Sequence, residues 1–116
     1  MNPSVLVVEN YADLRSAILA ALARHDVLCD GALTPQEAIE KLATHDYSTI
    51  LLAPTLPIRD DAVMRYLADN RPADLSKVVL MREPDDAEAD AGSDCRLLLK
   101  PFGSDELFAE VDAVVI

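Results

Sequence analysis

The chain has 116 residues, 51% of them hydrophobic, with 21 Asp and Glu against 10 Lys and Arg and a formal charge of −11. That length makes one domain, 1–116, able to hide roughly two-thirds of its unfolded surface without a disulfide or metal staple. The acidic excess excludes a nucleic-acid interface and docking on anionic lipid, both of which need clustered basic residues, and reads as solubility.

Cys29 and Cys95 lie far apart in no metal-spaced motif, both within apolar or strand-like segments. They read as buried structural thiols, with a disulfide or redox switch as the alternative. His25 and His45 are isolated, each beside an Asp, and read as surface residues rather than ligands. No apolar run approaches the ~20 residues of a membrane span. Met1-Asn2-Pro3-Ser4 has no basic n-region, and Val5–Val8 is too short for a signal peptide, so a cytoplasmic location is expected. There is no Ser/His/Asp constellation, no paired-carboxylate site and no Gly-rich phosphate loop in a chain with three Gly. No enzyme, no cofactor and no bound metal are expected.

Val5-Leu6-Val7-Val8 is a short apolar, β-branched run, as in a strand buried on both faces. Asn10 opens a helix, with its side chain as the cap, Asp13 three residues on, and Leu14, Ile18 and Leu22 in one stripe; it ends near His25. Val27-Leu28-Cys29 reads as the second strand. Thr34-Pro35-Gln36-Glu37 is a strong helix start, with an N-cap Thr, Pro at the first helical position and Glu three after the cap; Ile39 and Leu42 face inward. Ile50-Leu51-Leu52 is the third strand, closed by Ala53-Pro54. After a Pro-rich loop at 54–61, residues 62–69 form a short helix with Val63, Met64 and Leu67 as its apolar contacts. Val78–Met81 and Leu97–Leu99 are the fourth and fifth strands. Ser104-Asp105-Glu106-Leu107 opens a last helix with Leu107, Val111, Val114 and Val115 on one face.

Strands alternating with helices mean parallel strands joined by right-handed crossovers, with helices on both faces of one sheet. In such sheets the working site lies at the carboxyl ends of the strands. Those ends are Val8-Glu9-Asn10, Leu52-Ala53, Met81-Arg82 and Leu99-Lys100. Segment 83–94 stands apart: it holds six acids, no basic residue and no apolar side chain larger than Ala. A helix there has little to bury, so a short or frayed helix or an acidic loop is expected.

The βα order, the polar pair after Val5–Val8, Leu56-Pro57 after the third strand and Lys100-Pro101-Phe102 with a following Glu-Leu pair carry a resemblance. Over its full length the chain resembles a response-regulator receiver domain of the CheY-like superfamily. The resemblance implies a (βα)5 flavodoxin-like fold, sheet order 2-1-3-4-5, five flanking helices with the fourth short or irregular here, and a cis Lys100–Pro101 bond. It also implies a chemistry. Acids after the first strand and an acceptor Asp after the third hold Mg²⁺ through oxygens. The acceptor attacks a phosphohistidine, and the Lys neutralises the transferred group.

This sequence keeps little of that pattern. Glu9 and Asn10 occupy the acidic pair, Ala53 the acceptor position, Arg82 the Thr/Ser position and Leu97 the aromatic switch position; Lys100 and Pro101 stand unchanged. A methyl group cannot attack phosphorus or ligate a metal. The usual three carboxylates and one Lys become Glu9 against Lys100 and Arg82, a formal +1. Unit charges about 4 Å apart interact by about 4 kcal/mol at an effective dielectric near 20, so Mg²⁺ meets repulsion there. Asp60 and Asp61 stand too far along the loop to replace the acceptor. Two fillings of the pocket are open. One is an internal salt bridge from Arg82 or Lys100 to Glu9, a bidentate Arg pair leaving the Lys to backbone oxygens. The other is an anion site built from Arg82, Lys100 and amides near Asn10.

The expected function is a stand-alone degenerate receiver in two-component-type signalling, not phosphorylated and acting by protein contacts. Partners are a histidine kinase, a regulator or another signalling target, or a second copy of the chain. The expected contact surface includes Arg96, Leu97, Glu106 and Glu110. The alternatives are a regulator that senses an anion or small acidic ligand in the altered pocket, and an ordinary phosphorylated receiver.

Overall fold

A computed structural model describes residues 4–54, 60–84 and 95–115, with side chains as far as residue 111. Five parallel strands form one sheet in the order β2-β1-β3-β4-β5. They are β1 Ser4–Val8, β2 Leu28–Ala32, β3 Thr49–Leu52, β4 Val78–Arg82 and β5 Arg96–Leu99. Helices α1 Ala12–Arg24, α2 Pro35–Thr44, α3 Ala62–Asn70 and α4 Ser104–Val115 and a 3₁₀ helix Pro72–Lys77 complete the described elements. The expected fold class and strand order are observed. The expected irregular fourth helix falls at 83–94 and lies almost wholly outside the described residues.

The strand pattern divides the core. Val5, Val7, Leu51, Val79, Met81 and Leu98 point to one face and pack with Ile18, Leu22, Leu107 and Val111 of α1 and α4. Leu6, Val8, Ile50, Leu52, Val78 and Leu80 point to the other and pack with Ala38 and Leu42 of α2 and Val63 and Leu67 of α3. Side chains of successive strand residues alternate between faces, so a continuous apolar run buries both.

Element ends follow their caps. Thr34 Oγ1 accepts from Glu37 N at 3.2 Å, the cap read from the sequence, while Glu37 Oε2 accepts at 3.5 Å from Leu33 N, one residue before the cap. The start of α1 differs. Its N-cap residue is Tyr11, with no side-chain cap, and Asn10 lies outside the helix. Glu9 Oε1 instead accepts from Tyr11 N at 3.2 Å, because the carboxylate is held in place from the opposite side of the site. At the other end of α1, Asp26 N donates to Ala23 O at 3.2 Å and Val27 N to Leu22 O at 3.0 Å, with Asp26 at φ 59°. These two bonds close the helix with a left-handed residue after its last turn. That closure uses Val27, so β2 starts at Leu28 and runs to Ala32 rather than covering Val27–Cys29.

Other expectations need smaller corrections. Ile39 and Met64 are half-buried, and Ala38 is the buried residue of α2 beside Leu42. Cys29 and Cys95 are free and half-buried rather than fully buried. Burial, then the charge of Asp30, pushes the Cys29 thiol up from its ordinary value. His25 and His45 are exposed, His25 stacked on Phe108 with centroids 4.0 Å apart. Below the sheet, Arg71 ties α2 to α3: its Nη1 donates to Leu42 O at 2.6 Å, and its guanidinium pairs with Asp46 and Asp74. Among the described residues, no helix is long and apolar enough to cross a membrane.

Candidate functional site

The carboxyl ends of β1, β3 and β4 and the start of the β5–α4 connection enclose a cleft of about 320 Å³. Each strand end is fixed by one more backbone bond. Glu9 N donates to Ala32 O at 3.1 Å, Ala53 N to Val8 O at 2.9 Å and Lys100 N to Arg82 O at 2.8 Å. Five of the residues read from the sequence, Glu9, Asn10, Ala53, Arg82 and Lys100, line this one cleft. The sixth, Pro101, follows a cis peptide bond and lines an adjoining cavity of about 260 Å³ with Leu14, Glu83, Lys100 and Phe102.

At the centre, Lys100 Nζ donates to Glu9 Oε2 at 2.9 Å. The Lys100 side chain is 14% exposed and that of Glu9 0%. Glu9 is held from three sides: Tyr11 N donates to its other carboxylate oxygen, Lys100 to the first, and Arg15 Nη1 to its carbonyl at 2.8 Å. Arg15 reaches across β2 at Gly31, where a Cβ would stand 3.3 Å from Arg15 Cδ and 3.0 Å from Leu19 Cδ1. The arginine anchor therefore depends on the bare backbone of that strand.

Arg82 is 7% exposed, and its Nη1 donates to Pro54 O at 3.0 Å. Of the two pairings to Glu9 read from the sequence, the Lys100 one is present and the bidentate Arg82 one is not. The lysine takes the carboxylate, and the arginine serves a backbone oxygen. The reason is placement. Arg82 is the last residue of β4, next to β3, and its fork meets the chain leaving β3. Lys100 stands one residue past β5, and its Nζ meets Glu9 at the end of β1.

The charge count changes too. Glu83 lines the cleft directly after Arg82. Glu9 and Glu83 stand against Arg82 and Lys100, so among the described residues the lining is formally neutral rather than +1. Asp61 lies near enough to Arg82 for its charge to act on it; it is buried and caps α3, its Oδ1 accepting from Met64 N at 3.0 Å. Burial raises the Asp61 carboxyl above its ordinary value, against the amides of Met64 and Val63 and the Arg82 charge, which lower it. Asp60 is exposed. Both aspartates sit at the head of α3, and neither lines the cleft that Ala53 lines. Among the described residues no group of three His, Cys, Asp or Glu is placed to hold a metal.

Leu97 is not part of the cleft. It is 40% exposed, as Leu99 is at 43%, both on the sheet face opposite Leu98. Of the other expected surface residues, Arg96 Nη2 stands 2.8 Å from Glu110 Oε2, an off-line contact in which that oxygen accepts no well-angled hydrogen bond. Glu106 is exposed and turns back to Gly103 N at 3.4 Å. Sequence reasoning missed Glu83, Pro54 and Arg15. Glu83 was available to the rule that strand ends carry the site; the Pro54 carbonyl and the long arm of Arg15 leave no residue-type signal.

No protein-family model matches the sequence, and no curated protein matches it. The fold, by contrast, matches solved structures along its whole length. The receiver domain of the Francisella response regulator 1452 is 24% identical, with a TM-score of 0.75, covering 97% of this chain and 96% of that one. The receiver domain of the sensor histidine kinase PA1611 from Pseudomonas aeruginosa, solved with a magnesium ion in its active-site cleft, is 20% identical with a TM-score of 0.82, covering 99% and 98%. The chemotaxis protein CheY4 of Vibrio cholerae is 16% identical with a TM-score of 0.79, covering 98% and 99%. The fold is that of the receiver domains of response regulators. What this chain does with that fold is a question for its own residues.

Proposed function

We propose that the chain is a receiver-fold signalling module that takes up no phosphoryl group and works by docking to protein partners of two-component-type pathways. The observation that carries this reading is Lys100 paired with Glu9 beside Ala53. The cation that would neutralise an incoming phosphoryl group is already neutralised from within. The position at the end of β3 offers a methyl group instead of a nucleophile, and a methyl has no lone pair to give. Neither Asp60 nor Asp61 stands in its place. Among the described residues the lining is formally neutral and gives no net pull on Mg²⁺ or on a simple anion, so the docking reading is favoured over an anion sensor.

The docking surface is assigned to β5 and α4. Leu97 and Leu99 are large apolar side chains left exposed on a strand, and Arg96 and Glu110 bridge that strand to the helix. A small apolar patch rimmed by charge suits a reversible protein contact. The test has two parts. Incubation with acetyl phosphate and Mg²⁺ followed by intact mass measurement is expected to give no added phosphoryl mass. Affinity capture from the native cell extract is expected to retain a signalling protein, lost with Leu97→Glu. Stoichiometric acid-labile phosphorylation overturns the reading.

A further inference from the structure

Glu83 and Lys100 line both the cleft at the strand ends and the adjoining 260 Å³ cavity, so they mark the junction between the two. The two sides of that junction differ in kind. On one side lie Arg82, Asn10 and the Glu9 carboxylate. On the other lie Leu14, Pro101 and Phe102. Leu14 and Phe102 go on to line a smaller apolar hollow between α1 and α4. A molecule seated across the junction meets cations on the inside, a carboxylate at the exposed edge and apolar side chains beyond.

We propose that this junction binds a free α-amino acid with an apolar side chain. Its carboxylate turns to Lys100 and Arg82, its ammonium to Glu83, and its side chain enters the space among Leu14, Pro101 and Phe102. The sign pattern selects this class. A simple anion meets Arg82, and Lys100 only alongside Glu9, and lies against Glu83. A simple cation satisfies Glu83 but lies against Lys100 and Arg82. A zwitterion answers both, in a lining whose formal charges cancel. The donors suffice: an ammonium has three N–H groups, of which Lys100 gives one to Glu9, and a guanidinium serves several oxygens at once. The main cleft, about 320 Å³, falls within the usual range of small-molecule sites, about 300–1,000 Å³, and a few polar groups beside an apolar wall is their usual makeup.

The inference uses the cleft, whereas the proposed docking uses the face of β5 and α4, and it does not need the absence of phosphoryl transfer. The test is calorimetric titration and thermal unfolding of the purified chain with L-phenylalanine, L-leucine, glycine, 3-phenylpropionate, phenethylamine and inorganic phosphate. L-phenylalanine or L-leucine is expected to bind saturably, with a Kd of about 1 mM or tighter. Glycine, 3-phenylpropionate and phenethylamine, each lacking one of the three features, are expected to bind at least tenfold more weakly. Glu83→Gln, at an exposed position that does not threaten the fold, is expected to weaken L-phenylalanine at least tenfold and to leave 3-phenylpropionate no weaker, since the charge opposed to its carboxylate is gone. The proposal is overturned by no binding of either apolar amino acid at about ten times that concentration, by amine-free acid or phosphate binding as tightly, or by an indifferent Glu83→Gln. A negative titration with no phosphoryl mass leaves the docking function standing; phosphorylation with amino-acid binding does the reverse.

Discussion

Lys100 Nζ and Glu9 Oε2 meet at 2.9 Å across 91 positions of sequence. This contact ties the connection after β5 to the end of β1, over the top of β3 and Ala53. It turns the mouth of the sheet from a charge waiting for a ligand into a closed internal pair. A buried ion pair contributes little net stability when complete, because desolvation of both charges offsets their attraction. Its removal by halves is another matter.

Glu9→Gln leaves the Lys100 ammonium largely buried without its counter-charge. The expected loss is about 3 kcal/mol, at the low end of the range for breaking a buried pair because Lys100 keeps some solvent contact. Glu9→Gln combined with Lys100→Met removes both charges, so it is expected to recover most of that loss. Urea unfolding with an unchanged slope measures both. Equal losses in the single and double variants would mean that the pair does not couple.

Restoring one carboxylate is expected not to restore the phosphorylation chemistry. Ala53→Asp adds a nucleophile, but Arg82 and Lys100 still stand in the cleft and Asn10 supplies no charge. Arg82 and Lys100 offset Glu9 and Glu83, and Lys100 already holds Glu9, so a divalent ion finds one new carboxylate and too few free oxygen ligands. Ala53→Asp alone is expected to show no Mg²⁺ isotherm at millimolar concentration. Ala53→Asp with Asn10→Asp and Arg82→Thr is expected to show one. Mg²⁺ binding by the single variant would refute the electrostatic account.

The sheet order and the location of the cleft were legible in the sequence because both rest on long-range patterns: apolar strand runs, and the rule that strand ends gather the site. Ala53 and Lys100 were legible for the same reason. The partner choice was not. Whether Glu9 takes Arg82 or Lys100 depends on where each strand stops, and β4 runs one residue further than its apolar run suggests, carrying Arg82 with it. The cap of α1 failed for a related reason. Asn10 has the right chemistry, but Glu9 is pinned by Lys100 and its carboxylate reaches the helix start first. Local propensity loses where a distant side chain has already fixed the geometry.

Asp61 gives the site a pH signature. Burial raises its carboxyl above the ordinary value, so the folded chain binds its proton more tightly than the unfolded chain does. Stability from this group is therefore full below the ordinary carboxylate pKa and falls as pH rises through the raised one. Asp61→Asn keeps a good helix cap and removes the buried charge. It is expected to flatten the fall in stability across that acid range, while Asp61→Ala loses the cap at a cost of about 1 kcal/mol. Denaturation midpoints taken at several acid pH values test both, and a slope unchanged by Asp61→Asn would remove Asp61 as its source.

Thr49 opens β3 with a buried hydroxyl that finds no hydrogen-bond partner among the described residues. Burying such a group costs on the order of 1–3 kcal/mol relative to a satisfied one. Thr49→Val keeps the shape and removes the polar atom. It is expected to raise stability by about 1 kcal/mol, or about 4 °C in Tm for a chain of this size. A lower Tm would mean that the hydroxyl finds a partner in solution.

Asp26 closes α1 at φ 59°, a conformation that an L residue with a Cβ reaches at a cost and glycine reaches freely. Its amide bonds Ala23 O, and the next amide bonds Leu22 O, so the conformation is fixed by the closure. Val27 and Leu22 are both buried in the same core cluster behind it. Asp26→Gly therefore relieves the strain without disturbing the closure. The expected gain is about 0.5–1 kcal/mol, reduced because Asp tolerates this region better than most residues and because glycine adds freedom to the unfolded chain. Asp26→Ala is expected to lose stability, since Ala has the Cβ but no polar side chain to bond locally. Thermal unfolding of the two variants side by side tests this: a gain for Gly and a loss for Ala follow only if the left-handed backbone at this position, rather than the charge of Asp26, limits the closure.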